Sequence, residues 1–187
     1  MKTFAIFYEA NLPKGVEQLP DGTYRKTRQR IIIYALDPKL EHLHRIDGPA
    51  VESKDRKAWY VNGERHRIDG PAVESKNNKE WWVNDKLHRI DGPAIVATGY
   101  EAWFVNGKHH RIGGPAVVGP YDMKQWYVNG KRHRIDGPAF ESKHYKQWWV
   151  DDKQFTEDDY NHLIKRLSTL TDDSDKEATI AAATMFD

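Results

Sequence analysis

Between residues 44 and 153 the apolar positions fall in short alternating runs separated by polar turns. The runs are Trp59-Tyr60-Val61, Trp81-Trp82-Val83, Trp103-Phe104-Val105, Trp126-Tyr127-Val128 and Trp148-Trp149-Val150. Aromatic and β-branched residues in runs this short predict β-strands. Each run ends in a turn. Asn62-Gly63, Asn106-Gly107 and Asn129-Gly130 are strong hairpin signals, because both residues accept positive φ. Asn84-Asp85 and Asp151-Asp152 are weaker forms. A second strand per unit is expected through Ala72-Val73-Glu74-Ser75 and its counterparts, with Lys76-Asn77-Asn78-Lys79 as the loop. Strand alternation places Trp59 and Val61, with their equivalents, on one face. Tyr60, Trp82, Phe104, Tyr127 and Trp149 project to the other. The uniform Trp/Val row is expected on the core side. The varied row is either a second covered face or an exposed platform.

Between successive runs lies a second phrase, His-Arg-Ile-Asp-Gly-Pro-Ala, opening at His44, His66, His88, His110 and His133. The spacings are 22, 22, 22 and 23 residues, a period that indicates a repeat architecture. Near-identical units must run in the same direction, which requires an even number of strands in each. The expected unit therefore has two strands, with His-Arg-Ile opening a long first strand that bends at Asp-Gly-Pro. The predicted fold is mainly β, an elongated antiparallel sheet of two-stranded units advancing about 10 Å each. The extra residue of the fourth interval lies within Val117–Met123 and is expected at the loop tip, since a mid-strand insertion would reverse the faces.

The ends differ from the repeats. Residues 1–43 are expected to form an N-terminal β cap or degenerate repeat, with a strand at Phe4–Tyr8 and a long strand or hairpin arm from Tyr24 to Leu36. Ile33-Tyr34-Ala35-Leu36 reads as a degenerate Trp-aromatic-Val strand. Residues 44–153 hold the five repeats, and 154–187 an amphipathic helix and acidic tail. Thr156 is a helix N-cap with Asp159 at N3, and Phe155 and Tyr160 occupy staple positions. Tyr160, Leu163, Ile164, Leu167 and Leu170 form an apolar stripe expected to close the end of the sheet. Ser174 and Glu177 could cap a short terminal helix through Met185, and a frayed tail is the alternative.

Composition changes this picture little. Seven Trp and nine Tyr beside 30% charged residues suit a thin, aromatic-rich sheet. With no cysteine there is no disulfide framework or thiolate metal site. The apolar run at the start is too short for a signal peptide, and none approaches the roughly 20 residues that span a bilayer. Residues 151–187 carry net −6 and the remainder net +7. No catalytic or metal-binding residue is assigned and no cofactor is expected. Equivalent histidines lie roughly 10 Å apart by strand spacing, whereas zinc needs ligands at about 2 Å. The recurring arginines could bind phosphates, but the Asp47, Asp69, Asp91 and Asp136 beside them weaken that reading. Gly113 stands in the fourth copy, which could leave Arg111 for a ligand. Arg25, Lys26, Arg28 and Arg30 form the densest basic segment, readable as a nucleic-acid contact or as a charged edge strand.

The phrase Trp126-Tyr127-Val128-Asn129-Gly130-Lys131-Arg132-His133-Arg134-Ile135-Asp136-Gly137-Pro138-Ala139 resembles repeats found in proteins of bacteriophages and large DNA viruses. It is also similar to the MORN repeat, whose Asn-Gly-Lys-x-His-Gly turn matches Asn129-Gly130-Lys131-Arg132-His133, with Arg134 departing from the final Gly. The likeness covers about residues 44–153. It implies an elongated antiparallel sheet used as a scaffold or dimerisation module, with lipid binding suggested for some members.

The expected function is non-enzymatic. The chain reads as a phage- or virus-encoded binding or scaffold protein, cytoplasmic in the host, that engages a host or viral protein, for instance a defence component. The candidate contact residues are Tyr60, Trp82, Phe104, Tyr127 and Trp149, with Arg89 and Arg111 as polar neighbours. The alternatives are a nucleic-acid or phosphorylated-ligand binder and a virion component. A homo-oligomer is compatible with each.

Overall fold

The computed structural model describes residues 12–185. The strand expected at Phe4–Tyr8 lies outside the described residues. The chain forms two compact units, residues 12–88 with 94–98, and 89–93 with 99–185. The fold is mainly β, built from an antiparallel ladder of hairpins with helices at the C-terminal end.

In the first unit each strand pairs antiparallel with the next, through Val16–Gln18, Tyr24–Arg28, Ile31–Ala35, Val51–Glu52, Arg56–Ala58, Val73–Ser75, Asn78–Glu80 and Ile95–Ala97. In the second unit the order is Tyr100–Ala102, Val117–Val118, Lys124–Gln125, Phe140–Glu141, Lys146–Val150 and Lys153–Phe155. Beside the ladder stand separate hairpins, Tyr60–Val61 with Glu64–Arg65, Trp82–Val83 with Lys86–Leu87, Phe104–Val105 with Lys108–His109, and Tyr127–Val128 with Lys131–Arg132. Each full repeat therefore holds four short strands, two in the ladder and two in the side hairpin, where the sequence reading expected two in all. The number is even, as unit-to-unit identity requires.

The hairpin turns follow the sequence. Asn62 and Gly63 have φ of 52° and 83°, and Asn129 and Gly130 have 53° and 87°. Asn84-Asp85 and Asp151-Asp152 adopt the same left-handed pair without glycine. Asp85 and Asp152 each accept a bond from the backbone N–H of Arg65 and Arg132 respectively, which offsets the conformational cost. The loop between ladder strands is two residues, Lys76-Asn77, because Asn78 and Lys79 belong to the second strand. The fourth-interval residue sits at the tip: Val117 pairs with Gln125 as Val73 pairs with Glu80, and Gly119 N–H closes onto the Met123 carbonyl at 2.9 Å.

The bends and the N-terminal cap also differ from the sequence reading. His-Arg-Ile does not open a strand. Residues 68–70 form a bend, and Ile46, Ile68, Ile90, Ile112 and Ile135 are 77, 84, 76, 72 and 47% exposed. A β-branched residue beside Asp-Gly-Pro has no ladder partner, since the proline cannot donate and the chain turns there. In the cap, Tyr34 rather than Ile33 takes the tryptophan place. Its N–H bonds the Ala50 carbonyl at 2.7 Å and its carbonyl accepts from His44, as Trp59 does with Ala72 and His66.

The ladder core is small. Ala50, Ala72, Ala94, Ala116 and Ala139 are fully buried, and Trp59, Trp81, Trp103 and Trp126 are only half-buried. A larger apolar cluster closes the second unit. Helix α1 (Glu157–Ser168) buries Tyr160, Leu163 and Leu167 against Val150, with Trp148, Phe155, Ile164 and Leu170 around them. Thr156 caps it, accepting from Asp159 N–H at 3.2 Å while its hydroxyl donates to the Asp159 carboxylate at 2.7 Å. The Tyr160 hydroxyl accepts from Gly137 N–H at 2.9 Å and ties the helix to the last bend. Helix α2 (Asp173–Met185) starts from Asp172, whose carboxylate accepts from Ser174 N–H; Ser174 is inside the helix and not its cap. Among the described residues no helix is long and apolar enough to cross a membrane.

Candidate functional site

The recurring phrase builds one bend five times, and its arginine is the centre of it. The guanidinium of Arg67 lies 4.0 Å over the Trp59 ring; Arg111 lies 3.8 Å over Trp103, Arg134 3.9 Å over Trp126 and Arg45 4.2 Å over Tyr34. Its Nη1 donates to the proline carbonyl four residues on, Pro49, Pro71, Pro93, Pro115 or Pro138, at 3.0–3.4 Å. Its Nε donates to the aspartate two residues on, Asp47, Asp69, Asp91 or Asp136, at 2.7–3.0 Å. That bond holds the Asp47, Asp69 and Asp91 carboxyls below the usual carboxylate range. Glycine is required on the remaining side. A Cβ at Gly48, Gly70, Gly92, Gly114 or Gly137 would lie 2.9–3.1 Å from the guanidinium carbon. The requirement is close approach, because Gly70 has an ordinary φ.

Within each compact unit, histidine joins one repeat to the next. His44 Nδ1 accepts from Asn62 N–H at 3.0 Å, and His110 Nδ1 accepts from Asn129 N–H at 3.1 Å. His133 Nδ1 lies 2.8 Å from the Asp151 carboxylate. The repeated His-Arg-Asp-Gly-Pro set is thus occupied by internal bonds. Among the described residues no three His, Asp or Glu side chains converge as a metal site would need.

The bends leave grooves between them in the second unit. One, about 510 Å³, is walled by Arg89, Ile90, Asp91, His110 and Ile112 and floored by Trp103 and Val105. The next, about 450 Å³, is walled by Ile112, Pro115, His133 and Ile135 and floored by Trp126 and Val128. Ile112 is the shared wall. Trp103, Val105, Trp126 and Val128 therefore floor open grooves. The isoleucines were not singled out in the sequence. The signal for them is an apolar residue recurring at a bend that has no strand to bury it.

The second aromatic row is interleaved with cross-strand partners. Trp82 lies under Arg65 at 3.5 Å, and its Nε1 donates to Glu80 at 2.8 Å. His109 stacks between Phe104 at 3.9 Å and Tyr127 at 5.0 Å. Arg132 lies 6.0 Å from Tyr127 and 5.1 Å from Trp149. Tyr60 faces Arg65 across its hairpin. All five aromatics are half-buried. The backbone N–H groups of Arg89 and Arg111 bond the carbonyls of Phe104 and Tyr127 in this row, and their Nη1 atoms donate to the Pro93 and Pro115 carbonyls of the bends. Their side chains belong to the bends. Burial pushes the His109 imidazole below its ordinary pKa, against a bond to the Trp103 backbone, and its Nδ1 is buried without a partner among the described residues.

The basic segment lies on the strand Tyr24–Arg28 and the turn Gln29-Arg30, where both residues have positive φ. Alternation puts Lys26 and Arg28 on one face and Arg25 on the other, so the four cations do not form one stripe. Arg25 is ion-paired with Glu17, which raises its pKa further, and Arg28 and Arg30 are exposed at the tip.

Comparison with protein-family models, curated proteins and solved structures gives no match to this chain.

Proposed function

We propose that the chain is a non-enzymatic binding or scaffold protein that engages another protein through the grooves of its bend face. The observation that carries this reading is the row of exposed isoleucines. A β-branched side chain held in solvent at five equivalent bends contributes little to folding there. Ile90, Ile112 and Ile135 instead wall two adjoining grooves floored by Trp103 and Trp126. Apolar walls over aromatic floors with a charged rim suit a protein interface. The resemblance to MORN repeats and to phage and large-virus proteins supports a scaffold role, with a host or viral protein as partner in the host cytoplasm.

The test is capture from extracts of cells that naturally express the gene, followed by affinity measurement on the purified partner. Replacing Ile90 and Ile112 together by serine should weaken the partner by at least about tenfold, one apolar anchor being worth on the order of 1–2 kcal/mol. The melting temperature should be unchanged. Parent-like affinity in the double variant would reject the bend face. Nucleic-acid capture with a steep loss in added salt would favour the phosphate-binding alternative.

A further inference from the structure

We propose that Arg111 and Gly113 form a seat for an acidic side chain of the protein partner, beside the groove walled by Ile112 and Ile135. The proposal rests on the binding reading above and names the chemistry of its contact. The bends show what belongs at this position. In four of them the arginine Nε donates to an aspartate of the same bend, at 2.7–3.0 Å. Those four carboxylates are 81–83% exposed, so the position in front of Nε faces solvent. An acceptor can therefore reach it from outside as well as from the chain itself.

The fourth bend keeps the arginine and lacks the carboxylate. Arg111 is held as its equivalents are, 3.8 Å over Trp103 and donating from Nη1 to the Pro115 carbonyl at 3.0 Å. Gly113 replaces the aspartate, with φ of 75° and open space where a Cβ would project. No carboxylate among the described residues pairs with Arg111, whereas the neighbouring arginine of the groove, Arg134, is matched by Asp136. The groove thus has one positive group without a counter-charge, pre-oriented and next to apolar walls. An aspartate or glutamate flanked by apolar residues complements it, because a charge-assisted bond to a fixed guanidinium loses little freedom on forming.

The experiment follows the arginine Nε–H resonances by NMR while adding acetyl-Leu-Glu-Leu-amide, with acetyl-Leu-Gln-Leu-amide as the neutral control. The acidic peptide should shift the Arg111 signal saturably, at least tenfold more strongly than the neutral one. The Arg45, Arg67, Arg89 and Arg134 signals should stay in place. Gly113→Asp should abolish the response by filling the seat from within, and Gly113→Ala should retain it. Equal responses to both peptides, similar shifts at every arginine, or a response that survives in a folded Gly113→Asp protein would overturn the seat. If Arg111 is silent while the Ile90/Ile112 variant loses its partner, the seat fails and the binding face stands. If Arg111 responds while that variant binds normally, the seat stands and the isoleucine face fails.

Discussion

Arg67 is clamped by Trp59: the guanidinium sits 4.0 Å over the ring, with Gly70 against its other side and the Pro71 carbonyl at its tip. A lysine carries the charge but not the planar fork, so it cannot stack and donate in two directions at once. Arg67→Lys is expected to destabilise by about 1–2 kcal/mol, the sum of a shielded cation–π contact and a hydrogen bond to a backbone carbonyl. Denaturant midpoints of the two proteins measure it.

The glycine of the bend should couple to this arginine. Gly70→Ala brings a Cβ to 3.0 Å from the Arg67 guanidinium carbon, tight enough to force a shift. The expected cost is about 1–3 kcal/mol, in the range of overpacking. In an Arg67→Ala background the obstruction is gone, and the same change should cost almost nothing. Pro71→Ala, which keeps a compatible backbone, should cost less than about 1 kcal/mol. A double-mutant cycle checks the coupling, and additive costs would rule out the clamp.

What could be read in the sequence follows from what local chemistry dictates. Asn62-Gly63 needs no tertiary context to favour a tight hairpin, and Thr156 with Asp159 caps α1 by bonds that reach only three residues. The two-residue pleat places the extra residue of the fourth interval at the tip, because an insertion within a strand would reverse every side chain beyond it, Gln125 and Trp126 included. The bend at Asp-Gly-Pro was legible, but the place of Ile68 was not, since an isolated β-branched residue carries the same local signal in a strand as at an exposed turn. What fixes it is Arg67, reaching back over a tryptophan eight residues away. The core was misjudged for a related reason. Bulk pointed to Trp59 and Trp81, but the ladder closes most tightly where Ala72 and Ala94 bring backbones together, and tryptophan there would not fit. The misplaced register at Tyr34 came from the β-branched run Ile31–Ile33, which outweighed the aromatic beside it. The distinction between Arg111 and the other bend arginines was visible as Gly113, but its meaning depends on seeing where the other four carboxylates sit.

The two aromatic rows should not separate cleanly into core and surface. Trp82 is stacked under Arg65 and bonded to Glu80, so truncating it removes packing as well as a hydrogen bond. Trp82→Ala is expected to destabilise by about 2–3 kcal/mol, below the full-core range because the ring is half-buried. Trp103→Ala should cost at least as much, since it also removes the seat of Arg111. Equilibrium unfolding of both variants tests this, and an unchanged Trp82→Ala midpoint would make that row an idle surface.

Removal of the helices should expose the end of the second unit. Val150 is fully buried beneath α1, and Trp148 and Phe155 pack at its margin. A chain ending at Lys153 loses that cover and leaves an apolar strand edge, which favours self-association. Light scattering should show dimers or larger species, and Leu163→Ala in the intact chain should cost about 2–4 kcal/mol without them. A monomeric truncation with unchanged melting would show that α1 is not a cap.

His109 gives the stack a pH dependence of known sign. The imidazole lies between Phe104 and Tyr127, and burial lowers its pKa in the folded protein. The unfolded chain therefore takes up this proton first as pH falls below about 6.5. Because the unfolded state binds more protons in that window, stability is level above it and decreases from about pH 6.5 down through the folded pKa. The chain has eight other histidines, so the parent profile alone does not isolate this one. Leucine is the right comparison, since Leu87 fills the equivalent hairpin position opposite Trp82. His109→Leu should leave the fold intact and lose its stack with Tyr127. Its melting temperature relative to the parent should rise between pH 7.5 and pH 5. The quantity to measure is that difference at the two pH values. A constant difference would mean that protonation of His109 is as easy in the folded protein as in the unfolded chain.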